Sequence, residues 1–136
     1  MSTAAPVAAA STPKPWSLWL GRVFTALVAA LLAFSGVMKL TQSPEVLQGF
    51  ERFGYAPSAV FTIGLVEVLC AVLYLVPQTA VLGAILVTGY LGGATATHVR
   101  IGDPFFAPVL LGVFAWGGLF LRDARLRALL PLRRSA

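Results

Sequence analysis

Four apolar blocks, residues 19–38, 58–76, 80–97 and 105–121, constrain this chain more than any other feature. Each comes close to the roughly 20 mostly apolar residues that a helix needs to cross a bilayer. None is the alternating or striped pattern that builds a soluble core. Composition agrees, because 58% of the chain is hydrophobic and only 11% charged, with a mean hydropathy of +0.86. The expected fold is all-α, an integral membrane four-helix transmembrane bundle.

The connections set the order in which the helices pack. Only "PQTA" separates the second block from the third, with Pro77 ending one helix and a tight turn starting the next, so these two are antiparallel neighbours. The third connection, "HVRIGDP", is short as well. The first, "KLTQSPEVLQGFERFGYAP", is long enough for a short amphipathic element over the bundle mouth, with Val46, Leu47, Phe50 and Phe53 at helical spacing.

The segment 1–15 is rich in Ala, Pro, Ser and Thr and cannot build a packed core, so it is expected to be a disordered tail. Lys14 and Arg22 before an apolar run resemble a secretory signal, yet further spanning blocks follow, and an uncleaved first helix is the better reading. The domain then runs over 16–131, with a basic tail at 132–136.

Orientation follows from Lys and Arg. With the N-terminus inside, Lys14, Arg22, Arg122, Arg125, Arg127, Arg133 and Arg134 lie on the inner side and only Lys39, Arg52 and Arg100 on the outer. An even helix number places both basic termini on one side, so charge and count agree on cytoplasmic termini in a bacterial inner membrane. Trp16, Trp19 and Trp116 are then expected near the inner interface. "LRDARLRALLPLRR" reads as a basic amphipathic segment suited to an anionic leaflet. The net charge of +5 is thus explained by flanks and orientation signals, and no nucleic-acid partner is expected. The lone Cys70 excludes an internal disulfide and reads as a small packing residue.

Against this background Glu67 stands out, about 14 Å deep if the second helix starts at Ser58. An isolated ionised carboxylate is costly there, so it is either protonated or held by a cation or several donors. Lys39 closes the first helix at the outer side one turn after Ser35, and His98 closes the third with Thr95 one turn below it. Arg100 and Asp103 follow in the outer loop. Three helices therefore direct ionisable groups toward one outer-half cavity, where Tyr74 and Thr95 can add hydrogen-bond donors. Each residue also has a structural role open to it. Glu67 can pin helices together, Lys39 can snorkel to head groups, His98 can cap its helix, and Asp103 before Pro104 can start the fourth helix.

Lys39 is the best cationic partner for Glu67, but their heights differ. Contact requires the first helix to continue past Lys39 to about Thr41, or the second to begin near Phe61; otherwise Glu67 is protonated and bonded to Ser35 or Thr95. Gly89 and Gly93, four residues apart, are expected to pack against another helix, within the chain or across a homo-oligomer. No phosphate-binding loop, nucleophile elbow or cluster of metal ligands is present in the sequence.

The ordered set "AFSGVMKL", "GLVEVLCAVLYLVP", "GAILVTGYLGGATATHVRIGDPF" and "LFLRDARLRALLP" resembles the DoxX-like family of small bacterial membrane proteins over about residues 20–131. The resemblance implies a four-helix membrane bundle, often of unknown activity. The family's namesake is similar to a small subunit of an archaeal thiosulfate:quinone oxidoreductase, and other relatives are associated with membrane redox and oxidative-stress complexes.

Joined to the outer cavity, this suggests an accessory protein of a membrane redox assembly. Lys39, Glu67, His98, Ser35, Thr95, Tyr74 and Arg100 would then serve a quinone-like head group, another small molecule or protons. Electrons would come from a partner protein, since the chain holds no redox centre of its own and is not expected to be an enzyme alone. The rival readings are a small oligomeric transporter or channel with Glu67 as coupling carboxylate, and a structural assembly subunit. The topology is directly testable: a C-terminal reporter that fluoresces only in the periplasm is expected to stay dark, and strong periplasmic signal would invert the orientation.

Overall fold

A computed structural model describes residues 12–130, and the regular structure among them is entirely helical. Six helices follow in order: α1 Pro15–Thr41, α2 Pro44–Arg52, α3 Pro57–Leu75, α4 Ala80–Ile101, α5 Phe106–Arg122 and α6 Ala124–Leu129. The tail expected over 1–15 lies outside the described residues up to position 11, as does the basic tail expected over 132–136. Proline opens α1, α2 and α3, where its fixed φ suits the first turn and its missing N–H would have had no helical partner.

Two helices outrun their apolar blocks. α1 continues to Thr41 rather than 38, and α4 to Ile101 rather than 97. Lys39 on α1 and His98 and Arg100 on α4 occupy the last turns, where positive charge meets the negative end of the helix dipole. Both helices then stop on a left-handed residue, Gln42 at φ 51° and Gly102 at φ 72°.

α1 packs against both α3 and α5, and α4 closes the ring by packing against the same two. The short α2 lies against α3 at one end of the ring, and α6 folds back on α5 at the other. We refer to these as the α2 end and the terminal end. Helices α1, α3 and α4 are long and apolar enough to cross a membrane, while α5 is apolar but shorter, at 17 residues. At 1.5 Å per residue α5 covers about 26 Å, near the lower bound for a span. Phe34, Leu65, Leu69, Ile85 and Val113 face outward, as the lipid-facing surface of a membrane protein requires. Trp16 and Trp19 are exposed at the terminal end. Trp116 donates its indole N–H to Thr88 Oγ1 on α4 at 2.8 Å.

Lipid supplies no hydrophobic drive between helices, so close approach rests on small residues. The glycines that provide it are not the pair singled out from the sequence. A Cβ on Gly36 would meet Gly64 O at 3.1 Å and Val68 Cγ2 at 2.7 Å, and one on Gly64 would meet Gly36 O at 2.8 Å, which marks where α1 and α3 cross. Gly21 and Gly118 do the same for α1 and α5, with Gly118 O 2.8 Å from a Cβ on Gly21. Gly83 lies directly on the Leu73–Tyr74 backbone where α3 turns into α4. Among the described residues Gly89, Gly92 and Gly93 have open space where a Cβ would stand, so the expected packing of Gly89 and Gly93 on another of these helices of the same chain does not occur. Accordingly, Gly64→Leu is expected to lower stability in detergent by about 1–3 kcal/mol through overpacking. Gly92→Leu should stay within about 0.5 kcal/mol of the parent. Equal thermal melting of the two variants would contradict this assignment of the crossings.

Candidate functional site

The α1–α3 crossing brings the opposing charges together. Gly36 stands three residues before Lys39 and Gly64 three before Glu67, so each charge lies about one turn beyond the contact, in opposite directions along the antiparallel pair. Helical side chains lean toward their own N-terminus. Lys39 therefore leans back along α1 toward the middle of the ring, and Glu67 leans up along α3 to meet it. Lys39 Nζ lies 2.6 Å from Glu67 Oε2, with the side chains 12% and 3% exposed. This is the pairing that needed α1 to reach Thr41, and it does.

Two further contacts seat the ammonium. Ser35 Oγ accepts from it at 2.5 Å, and the Phe50 ring of α2 lies 5.7 Å from it, centroid to nitrogen, a cation–π distance. Lys39 thus meets a carboxylate, a hydroxyl and an aromatic face, which compensates the loss of water around a buried ion.

Above the pair opens a cavity of about 350 Å³, with Lys39 in its wall. Phe50, Phe53 and Tyr55 close it from α2 and the following loop, and Tyr90, Thr97 and His98 from α4. Gly89, Gly93 and Ala94 leave the room, since a side chain there would occupy it. Glu67 is not itself a wall residue, but its partner Lys39 is. Tyr55 OH and Thr97 Oγ1 are 2.9 Å apart. The His98 ring stacks at a tilt on Phe53, with centroids 5.1 Å apart. Its Nδ1 lies 2.8 Å from Ala94 O; a carbonyl only accepts, so Nδ1 carries the proton and Nε2 is the nitrogen that can meet a ligand.

The other residues expected at the site divide. Ser35 belongs to it through Lys39. Arg100 lies at its rim, donating to the Phe53 carbonyl and tying α4 to the turn after α2. Arg52 adds an exposed ion pair to Asp103 at 2.9 Å. Thr95 is turned away, donating to Leu91 O of its own helix at 2.8 Å. Tyr74 is fully buried one helical stretch below, where its hydroxyl donates to Ala115 O at 2.7 Å. A hydroxyl so engaged joins α3 to α5 and offers nothing to the cavity.

The match to known proteins follows the same elements: the family model described as the DoxX-like family matches residues 23–118, from α1 through α5. The chain belongs to the DoxX-like family. It is a membrane protein, as its apolar helices also require. No curated protein and no solved structure gives a significant match.

In this DoxX-like protein Tyr90 is one of the polar wall residues that sequence reasoning missed, with Tyr55 and Thr97. Its signal was present: positions 90, 94, 97 and 98 fall on one face of α4 at the spacing of a helical stripe. The charged pair makes a sharp prediction. Glu67→Gln leaves the Lys39 ammonium buried without its counter-charge and is expected to cost about 3–5 kcal/mol of stability. Adding Lys39→Met should restore most of it, because the stranded charge is then gone. Full stability of Glu67→Gln alone would contradict a buried ion pair.

Proposed function

We propose that this DoxX-like protein is an accessory subunit of a membrane redox assembly, whose α2-end cavity takes the head group of a quinone-like molecule. The observation that carries the reading is the cavity itself, mostly apolar, aromatic on one side, and bounded by a few converging polar groups, the usual make-up of a small-molecule site. Phe50 and Phe53 offer ring faces to a flat head group. Tyr90 offers a hydroxyl and Lys39 part of its ammonium to a carbonyl oxygen, while His98 Nε2 accepts from a hydroxyl of the reduced head group. The Lys39–Glu67 pair beneath is a store of charge and protons that a ligand reached by Lys39 would disturb. Electrons would arrive from a partner protein, which the family's redox associations suggest.

The expected setting is the bacterial cytoplasmic membrane with both termini inside. Charge supports this orientation: among the described residues the terminal end carries Lys14, Arg22, Arg122, Arg125 and Arg127, whereas the α2 end carries only Lys39, Arg52 and Arg100.

Titration of the purified protein with a short-chain ubiquinone, followed by quenching of intrinsic fluorescence, tests the cavity. Saturable binding is expected in the parent and strong loss in Gly93→Leu, whose side chain fills the space without opposing a helix. No saturable binding in the parent, or equal binding in Gly93→Leu, would remove the quinone-like reading and leave the pair as a structural pin.

A further inference from the structure

At the terminal end lies a second cleft of about 570 Å³, and its walls are cationic. The Gly21–Gly118 crossing determines this. A Cβ on Gly21 would stand 3.1 Å from Arg122 Cβ, so Arg22, the next residue on α1, and Arg122, the last of α5, are drawn to one place. Both line the cleft, and Arg125 of α6 joins them. Three guanidinium groups so gathered repel one another unless an anion sits among them.

Two further observations point to that anion. Nε and Nη2 of Arg122 are buried and meet no acceptor among the described residues. Guanidinium nitrogens removed from water call for an acceptor. Opposite them, Pro77, Ala80 and Val81 bring the N-terminus of α4 to the cleft wall. No side chain caps that 22-residue helix, because the Thr79 hydroxyl donates backward to Leu73 O at 2.8 Å. Its first amides and the positive end of its dipole are therefore available to an anion. The acid in the cleft, Asp123, is turned to another use: its Oδ1 accepts from the amides of Arg125 at 2.8 Å and Leu126 at 3.3 Å, starting α6.

The depth of the cleft identifies the source of the anion. Pro13 and Leu18 belong to its wall, and the same stretch of α1 carries Trp16 and Trp19, 62% and 68% exposed. Exposed indoles on a membrane helix mark the head-group level. The apolar part of the wall is Leu18, Val81 and Leu119, of which Val81 is exposed on the outer face of α4.

We propose that this cleft is a specific site for the head group of an anionic phospholipid. Arg22, Arg122 and Arg125 hold the anionic head group, the α4 N-terminus faces it, and the acyl chains leave along the apolar wall. The site is independent of the α2-end cavity and stands whether or not that cavity binds a quinone.

The test uses the full chain, delipidated in detergent and back-titrated with phosphatidylglycerol or phosphatidylcholine under native mass spectrometry. The parent is expected to retain phosphatidylglycerol about tenfold more strongly than phosphatidylcholine. Arg22→Gln with Arg125→Gln, both at exposed positions, should lower phosphatidylglycerol retention about tenfold while leaving the circular dichroism spectrum unchanged. Arg52→Gln at the opposite end should leave retention as in the parent. Equal retention of the two lipids by the parent would overturn the proposal. So would equal loss in Arg52→Gln, which would mean diffuse charge attraction. Inorganic phosphate that displaces the bound phosphatidylglycerol at millimolar concentration would assign the cleft to a soluble anion and overturn the lipid.

Discussion

A lysine and a glutamate buried between two apolar helices cannot be treated as one more contact. Where water is scarce, each charge alone is expensive, and the two are tolerable only at close range with their remaining hydrogen-bonding capacity met. Much of the α2 half of the molecule can be understood from that constraint. α1 must extend past its apolar block to carry Lys39, α3 must face it with Glu67, and the helices must approach closely enough for a 2.6 Å contact. Ser35 and Phe50 also contact the ammonium, which still borders the cavity.

The two ends of the ring apply one device to different effect. At each, a pair of glycines lets α1 press against a neighbour, and a charged residue beside the crossing is carried into the resulting crevice. Where the neighbour is α3, the charges are opposite and neutralise each other. Where the neighbour is α5, both are arginines and they do not. One crossing therefore yields a closed pair with an aromatic cavity above it, and the other yields an open cationic cleft at the terminal end. α2 and α6 differ in the same sense: α2 carries Phe50 over the pair, whereas α6 adds another arginine to the cleft.

Much of this was legible before any coordinates. Apolar block length located every long helix, the spacing of Val46, Leu47, Phe50 and Phe53 revealed α2, which ends one residue before Phe53, and the cost of an isolated Glu67 demanded a partner that only Lys39 or a protonated state could satisfy. What the sequence concealed were contacts set by backbone approach. Gly89 and Gly93 look like a packing face because small residues cluster there, yet among the described residues it is their lack of side chains that matters, as cavity volume. Gly36, Gly64 and Gly21 stand apart in the sequence, Gly118 lies in the glycine-bearing "GVFAWGG", and they become pairs only when helices cross. Tyr74 looked available to the site because its hydroxyl is polar. Its height on α3 places it instead beside the Ala115 carbonyl, and spacing along one helix carries no information about what another presents at that level.

The central claim is that Glu67 is held in the membrane as a carboxylate by Lys39. Infrared difference spectroscopy of the parent against Glu67→Gln, in lipid at neutral pH, reads the state of that group directly. The account predicts that the substitution removes a carboxylate stretching band, and that Lys39→Met converts the group in the otherwise unchanged protein to a protonated carboxylic acid. If the parent instead loses a protonated carbonyl band on substitution, Glu67 is neutral in the folded protein and the ion pair does not organise this structure.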